Sequence, residues 1–154
     1  MSIIQGTLSD LQARRMATRL QLYENLIEAA PALFELDGRS LEDACKGHAN
    51  DLMSYNVMLQ ECKTIEDIVK MKMEETESLL YRKYNENHQR ALGQRDIGQY
   101  IKGDPEYIQI FEVLLEVTIV KRKLEAIVEA LQGHGWSISN IVKLRIAQLE
   151  DVTL

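Results

Sequence analysis

Proline is nearly absent from this chain, with Pro31 and Pro105 the two in 154 residues, and its scarcity is the first structural constraint. Between Ser40 and Gly93 there is no proline and one glycine, Gly47, so nothing forces the backbone out of a helix for about 50 residues. At 1.5 Å per residue such a helix would run roughly 75 Å, too long to bury its own apolar stripe without partners. Cysteine is equally sparse. Cys45 and Cys62 lie in the same predicted helix, where about 25 Å of rise forbids a mutual disulfide, so reduced thiols are expected. No run approaches 18 apolar residues; the longest, Ile108 to Val120, is broken by Gln109, Glu112 and Glu116, and the N-terminus has no basic segment leading into an apolar one. Neither a membrane span nor a secretory leader is expected.

Catalytic patterns are missing too. His48, His88 and His134 fall in three different segments, with no His-Glu-x-x-His and no Cys-x-x-Cys, so no metal or other cofactor is expected. Gly133-His134-Gly135 is too short for a phosphate loop and follows a helical pattern instead of a strand. Glu74, Glu75 and Glu77 form a run of the kind that normally faces solvent. The chain reads as a non-enzyme. With 24 acids against 18 lysines and arginines, its net charge of −6 also excludes a generally basic nucleic-acid binder and leaves only a local patch for that role.

What is present is helical periodicity. Leu8 to Ala30 carries Leu11, Met16, Leu20, Tyr23, Leu26 and Ile27 at helical spacing, with Arg14, Arg15 and Arg19 largely on another face, and Pro31 ends or kinks that helix. Asp37-Gly38 reads as a turn, and Ser40 caps the long helix with Asp43 at the capping-box position. A heptad-like seam follows at Met58, Cys62, Ile65, Val69, Thr76 and Leu79, with Lys72 interrupting it. Turn signals peak between Ala91 and Pro105, and Asp104-Pro105-Glu106 is a strong helix start. The next helix has two apolar rows. One is Ile110, Leu114, Val117, Leu124, Val128 and Leu131; the other is Ile108, Phe111, Leu115, Ile119 and Ile127. So wide an apolar circumference points to subunit contacts. Gly133-His134-Gly135 predicts a stop, and Trp136 onward a short last helix with Ile138, Ile141 and Val142. The fold expectation is all-α: a long helix, an apolar helix and a short C-terminal helix, assembling as a homo-oligomer. Residues 1–38 form an N-terminal helical extension to a helical region over 39–154.

One stretch runs against the overall charge. From Tyr81 to Lys102 the chain carries Arg82, Lys83, Arg90, Arg95 and Lys102 against Glu86 and Asp96, and Tyr81 and Tyr84 bracket the first two cations. Aromatic faces stack on bases while cations neutralise phosphates, the combination used for sequence-tolerant single-strand binding. The plainer alternative is that Tyr81 and Tyr84, three apart, are core residues with exposed charges between them.

The order of these features resembles the UvsY-type recombination mediators of T-even-like phages: Tyr55 and Leu59, then Ile65, the cluster Leu80-Tyr81-Arg82-Lys83-Tyr84, a long apolar helix, and Gly135-Trp136-Ser137-Ile138 with Ile141 three further on. The resemblance covers roughly residues 40 to 150. It departs at Asn85-Glu86-Asn87, where the family places a small residue and glycine, and in the residues that precede the shared part. It implies a ring-like homo-oligomer in the cytoplasm of an infected bacterial host that binds single-stranded DNA, displaces single-strand-binding protein and loads a RecA-like recombinase. Carried over by position, Arg82 and Lys83 would contact phosphates with Tyr81 or Tyr84 nearby, and Arg90 and Arg95 of the same basic stretch complete the expected DNA-binding set. Leu114, Ile119, Leu124, Val128, Trp136 and Ile141 would hold subunits together, and Arg14, Arg15 and Arg19 are one candidate surface for the recombinase. The competing expectation is a phage structural or assembly adaptor, a helical homo-oligomer that binds only protein.

Overall fold

The computed structural model describes residues 10–35, 38, 40–87 and 93–151. Among the described residues the chain is helical throughout, with no strand. Helix α1 spans Asp10–Ala29, a 3-10 turn spans Ala30–Phe34, and α2 (Leu41–Asn87), α3 (Gln94–Gly103) and α4 (Pro105–Asp151) follow. Pro31 sits in the first turn of the 3-10 segment, where a missing N–H costs least. Gly38 takes a positive φ of 77°, the left-handed conformation that the turn before α2 requires. Ser40 then caps α2: its Oγ accepts the Asp43 N–H at 3.1 Å and donates to the Asp43 carboxylate at 2.6 Å.

The chain packs as two compact units, one made of Met1–Leu22 with Cys62–Val120 and the other of Tyr23–Glu61 with Lys121–Leu154. In the first unit, Ala13, Met16 and Leu20 of α1 are buried with Cys62, Ile65 and Val69 of α2 and with Ile110, Val113, Val117 and Val120 of α4. Here α2 and α4 run antiparallel: the Cys62 thiol donates to the Val117 carbonyl midway along both, while Lys83 near the end of α2 reaches Asp104 just before α4 begins. In the second unit Tyr23, Ala30, Tyr55 and Leu59 are buried with Leu124, Val128, Leu131 and Ile138. Tyr55 Oη donates to the Leu26 carbonyl at 2.8 Å, and Tyr23 Oη donates to the Glu61 carboxylate. Both tyrosines bury their rings while their hydroxyls find partners.

The turn-rich stretch from Ala91 to Pro105 holds a ten-residue helix, α3, between Gly93 and Asp104. Two further expectations are corrected. The buried seam of α2 is Tyr55, Leu59, Cys62, Ile65, Val69, Thr76 and Leu80, whereas Leu79 is 56% exposed. An alternation of four and three fits either phase over a few turns; the steps from Tyr55 to Leu59 and from Thr76 to Leu80 fix the one that Met58 and Leu79 do not share.

The second correction concerns the C-terminus. There is no stop at Gly133-His134-Gly135 and no separate short helix, because α4 continues to Asp151. Helix-interior glycine costs about 1 kcal/mol relative to alanine, which buried side chains on the same face offset. Leu131 and Ile138 supply that burial on either side. At Gly135 the missing Cβ also leaves room for His48, whose Nε2 would lie 2.6 Å from a Cβ there.

Candidate nucleic-acid interface

The tyrosine and basic cluster occupies the last turns of α2, where it meets α3 and the start of α4. Leu80 is buried against Ile97 and Ile101 of α3, with Tyr84 and Tyr107 packed on that cluster. Fully burying a side chain of this size contributes roughly 1.5–3 kcal/mol, so Leu80 anchors the α2 end while its neighbours face outward. The ten residues of α3 are amphipathic enough to hold this position: Ile97 and Ile101, four apart, face inward, and Arg95, Asp96, Gln99, Tyr100 and Lys102 face out.

The polar centre of this region is Asp104, whose side chain is only 4% exposed. One carboxylate oxygen accepts the Glu106 N–H at 2.9 Å, so Asp104 caps α4 with Pro105 at the first helical position. The other accepts Tyr84 Oη at 2.8 Å and Lys83 Nζ at 3.3 Å. Burial pushes the Asp104 carboxyl up, but the hydrogen bonds from Tyr84, the Glu106 amide and Lys83 together outweigh it and hold the group below the usual carboxylate range. The same bond to Asp104 raises Lys83, and it raises Tyr84 together with burial.

Tyr84, fixed through its hydroxyl, stacks on Tyr100 of α3 with ring centroids 5.7 Å apart and planes 26° from parallel. Lys83 Nζ stands 5.5 Å from the Tyr84 ring centroid, within cation–π reach. Tyr84, Tyr100, Asp96, Gln99 and Gly103 line one open concavity. Tyr81 and Arg82 line another with Glu74, Glu77 and Ser78, so the acid run of α2 lies beside them.

The expected DNA-contact residues are thus not equivalent. Tyr81 and Arg82 are exposed, Lys83 and Tyr84 are joined to Asp104, and Arg95 is exposed on α3. Arg90 lies outside the described residues. Tyr100 and Asp104 carry weight that their sequence positions only hinted at: Asp104 was visible as a helix start, and its contact with α2 required the fold.

The expected subunit-contact residues also separate. Leu124 is fully buried and Val128 nearly so within the chain, so their apolar surface is already covered. Leu114 and Ile141 are half-buried, while Ile119 is 51% and Trp136 71% exposed. Ile108, Phe111 and Leu115 join Ile119 in an exposed apolar row on the first half of α4. No described helix is long and apolar enough to cross a membrane. Compared with protein-family models, curated proteins and solved structures, the chain finds no match in any of the three.

Proposed function

We propose that this chain is a homo-oligomeric recombination mediator, a non-enzymatic protein that binds single-stranded DNA and helps load a RecA-like recombinase in place of single-strand-binding protein. The observation that carries this reading is the Tyr84–Tyr100 stack with Lys83 over the Tyr84 ring, flanked on α2 and α3 by exposed Arg82, Arg95 and Lys102. A nucleobase stacked on an aromatic side chain gains about 1–3 kcal/mol, and the surrounding cations supply the phosphate contacts. The resemblance in residue order to UvsY-type mediators supports the same assignment.

Asp104 has a part in this account. Lys83 is 54% exposed on its side chain, so an incoming phosphate competes with the Asp104 carboxylate for an ammonium that solvent and DNA both reach. The net charge of −6 weakens the long-range attraction of one chain for DNA. An oligomer, ring-like in this reading, repeats the patch once per subunit and recovers affinity through multivalency. The exposed apolar row on α4 gives such an oligomer a surface to form on. The setting is the cytoplasm of an infected bacterium.

The test is a gel shift with a single-stranded oligonucleotide at two salt concentrations. Binding should weaken as salt rises, with a log–log slope of about 0.7 per neutralised phosphate. Arg82→Ala with Lys83→Ala should lower both affinity and slope without changing the oligomeric state. Unchanged affinity in that double variant would reject the assignment of the α2 tip as the contact surface.

A second reading, a phage assembly adaptor that binds only protein, is favoured by the apolar row at Ile108, Phe111, Leu115 and Ile119 and by the closeness of Glu74 and Glu77 to Arg82. It predicts the same oligomer with no measurable DNA affinity at physiological salt.

A further inference from the structure

In the second unit, His48 of α2 and His134 of α4 meet edge to face, with ring centroids 5.7 Å apart and planes inclined by 70°. Phe34 closes on His134 from the 3-10 turn at 5.4 Å and 71°. Both ring nitrogens of His134 and Nδ1 of His48 are shut off from solvent without a hydrogen-bond partner among the described residues. Gly135 completes the enclosure by letting the His48 ring come closer to α4 than any Cβ would allow.

We infer that this pair is a proton-sensitive latch: protonating either ring breaks the packing of the 3-10 turn and α2 on α4 and opens the second unit. A neutral imidazole can be buried with one N–H and one acceptor nitrogen, at a modest cost. An imidazolium brings two N–H donors and a charge into the same enclosure, and its neighbour is another imidazole that competes for the proton.

The surroundings offer little to stabilise a cation. The 3-10 turn, Ala30–Phe34, carries no titratable side chain, and Glu35 beyond it is exposed. One helical turn from His134 on α4 lie Ala130, Leu131, Ser137 and Ile138, none of them charged. One turn from His48 on α2 are Cys45 and Asp51, and Asp51 adjoins Tyr55, whose hydroxyl it raises in addition to the effect of burial. Burial, and then the His48 ring, hold His134 below the ordinary histidine value. A group whose folded pKa is depressed is protonated more readily in the unfolded chain. Its neutral form therefore supports full stability above about pH 6.5, and stability is lost as pH falls from there toward the folded value.

The test is urea unfolding of the full chain at pH 7.5 and 5.5, together with proton NMR titration of the histidine ring protons, assigned by single variants. The parent should lose roughly half a molar in urea midpoint for each pH unit separating the folded and unfolded titrations. His48→Gln with His134→Gln should hold its midpoint level over this range. A parent midpoint that does not move, or an equal fall in the double variant, overturns the inference. If the double variant does not fold, the NMR titration of the parent decides. A His134 midpoint below the ordinary range supports the latch, and three ordinary midpoints reject it.

Discussion

Asp104 shows how one side chain sets a surface. It is buried, it accepts from the Tyr84 hydroxyl, the Lys83 ammonium and the Glu106 amide, and it thereby joins the end of α2 to the start of α4. Asp104→Ala removes a helix cap and strands a half-buried tyrosine hydroxyl, so chemical unfolding should show a loss of about 2–3 kcal/mol. Lys83→Ala should cost far less than Asp104→Ala, because its ion pair is largely solvated on the lysine side. The carboxyl of Asp104 lies below its ordinary value, so its contribution is present above about pH 3.9 and is lost as pH falls through the folded value. Asp104→Asn should flatten that acid limb while keeping the cap, which pH-dependent unfolding would reveal. At this scale the sequence was partly legible. Asp104-Pro105-Glu106 announced a helix start, but nothing local indicated that the same carboxylate would receive Tyr84 and Lys83 from twenty residues upstream. Hydrogen bonds of that sequence separation depend on how the helices return on themselves.

At the scale of elements, the end of α1 before Pro31 and the starts of α2 and α4 followed from proline placement, the Ser40 cap and apolar spacing, while the expected start of α1 at Leu8 and end of α2 near Leu92 lie outside the described residues. The seam of α2 was read correctly at Cys62, Ile65, Val69 and Thr76 and wrongly at its ends, because Leu79 and Leu80 are both leucine and either can continue a run of fours and threes. Only packing against Ile97 and Ile101 selects Leu80. Gly133 and Gly135 were misread for a different reason: two glycines signal a stop when propensity acts alone, and here tertiary contact overrides it. The two positions are separable by experiment. A Cβ at Gly133 meets nothing within 4 Å, so Gly133→Ala should stabilise α4 by up to about 1 kcal/mol. The same change at Gly135 brings a methyl to 2.6 Å from His48 Nε2, so Gly135→Ala should lower the thermal midpoint despite its better helix propensity. A gain in stability at Gly135 would mean that the His48 ring moves aside freely.

For the whole molecule, the proposed assembly rests on Ile108, Phe111, Leu115 and Ile119, which repeat at helical spacing on α4 and are between 41% and 51% exposed, a row whose burial between subunits would remove apolar surface from water. Phe111→Glu with Leu115→Glu should raise the concentration needed for self-association at least about tenfold while leaving helix content unchanged, as sedimentation and circular dichroism would report. Loss of helix content in that variant would instead place the two side chains in the fold of the subunit. The wide apolar circumference of α4 was readable from sequence, but its division into a row that packs internally and a row that stays exposed was not, because both rows have helical spacing.

The central claim is that an acidic oligomer binds single-stranded DNA through the α2 tip and α3. Sedimentation velocity, following a labelled single-stranded oligonucleotide in the presence of the protein at low and at physiological salt, tests it most directly. The DNA should move with the oligomer at low salt and be progressively released as salt rises. DNA that sediments as free strand at both salts, beside protein that is still oligomeric, would contradict it and leave the adaptor reading standing.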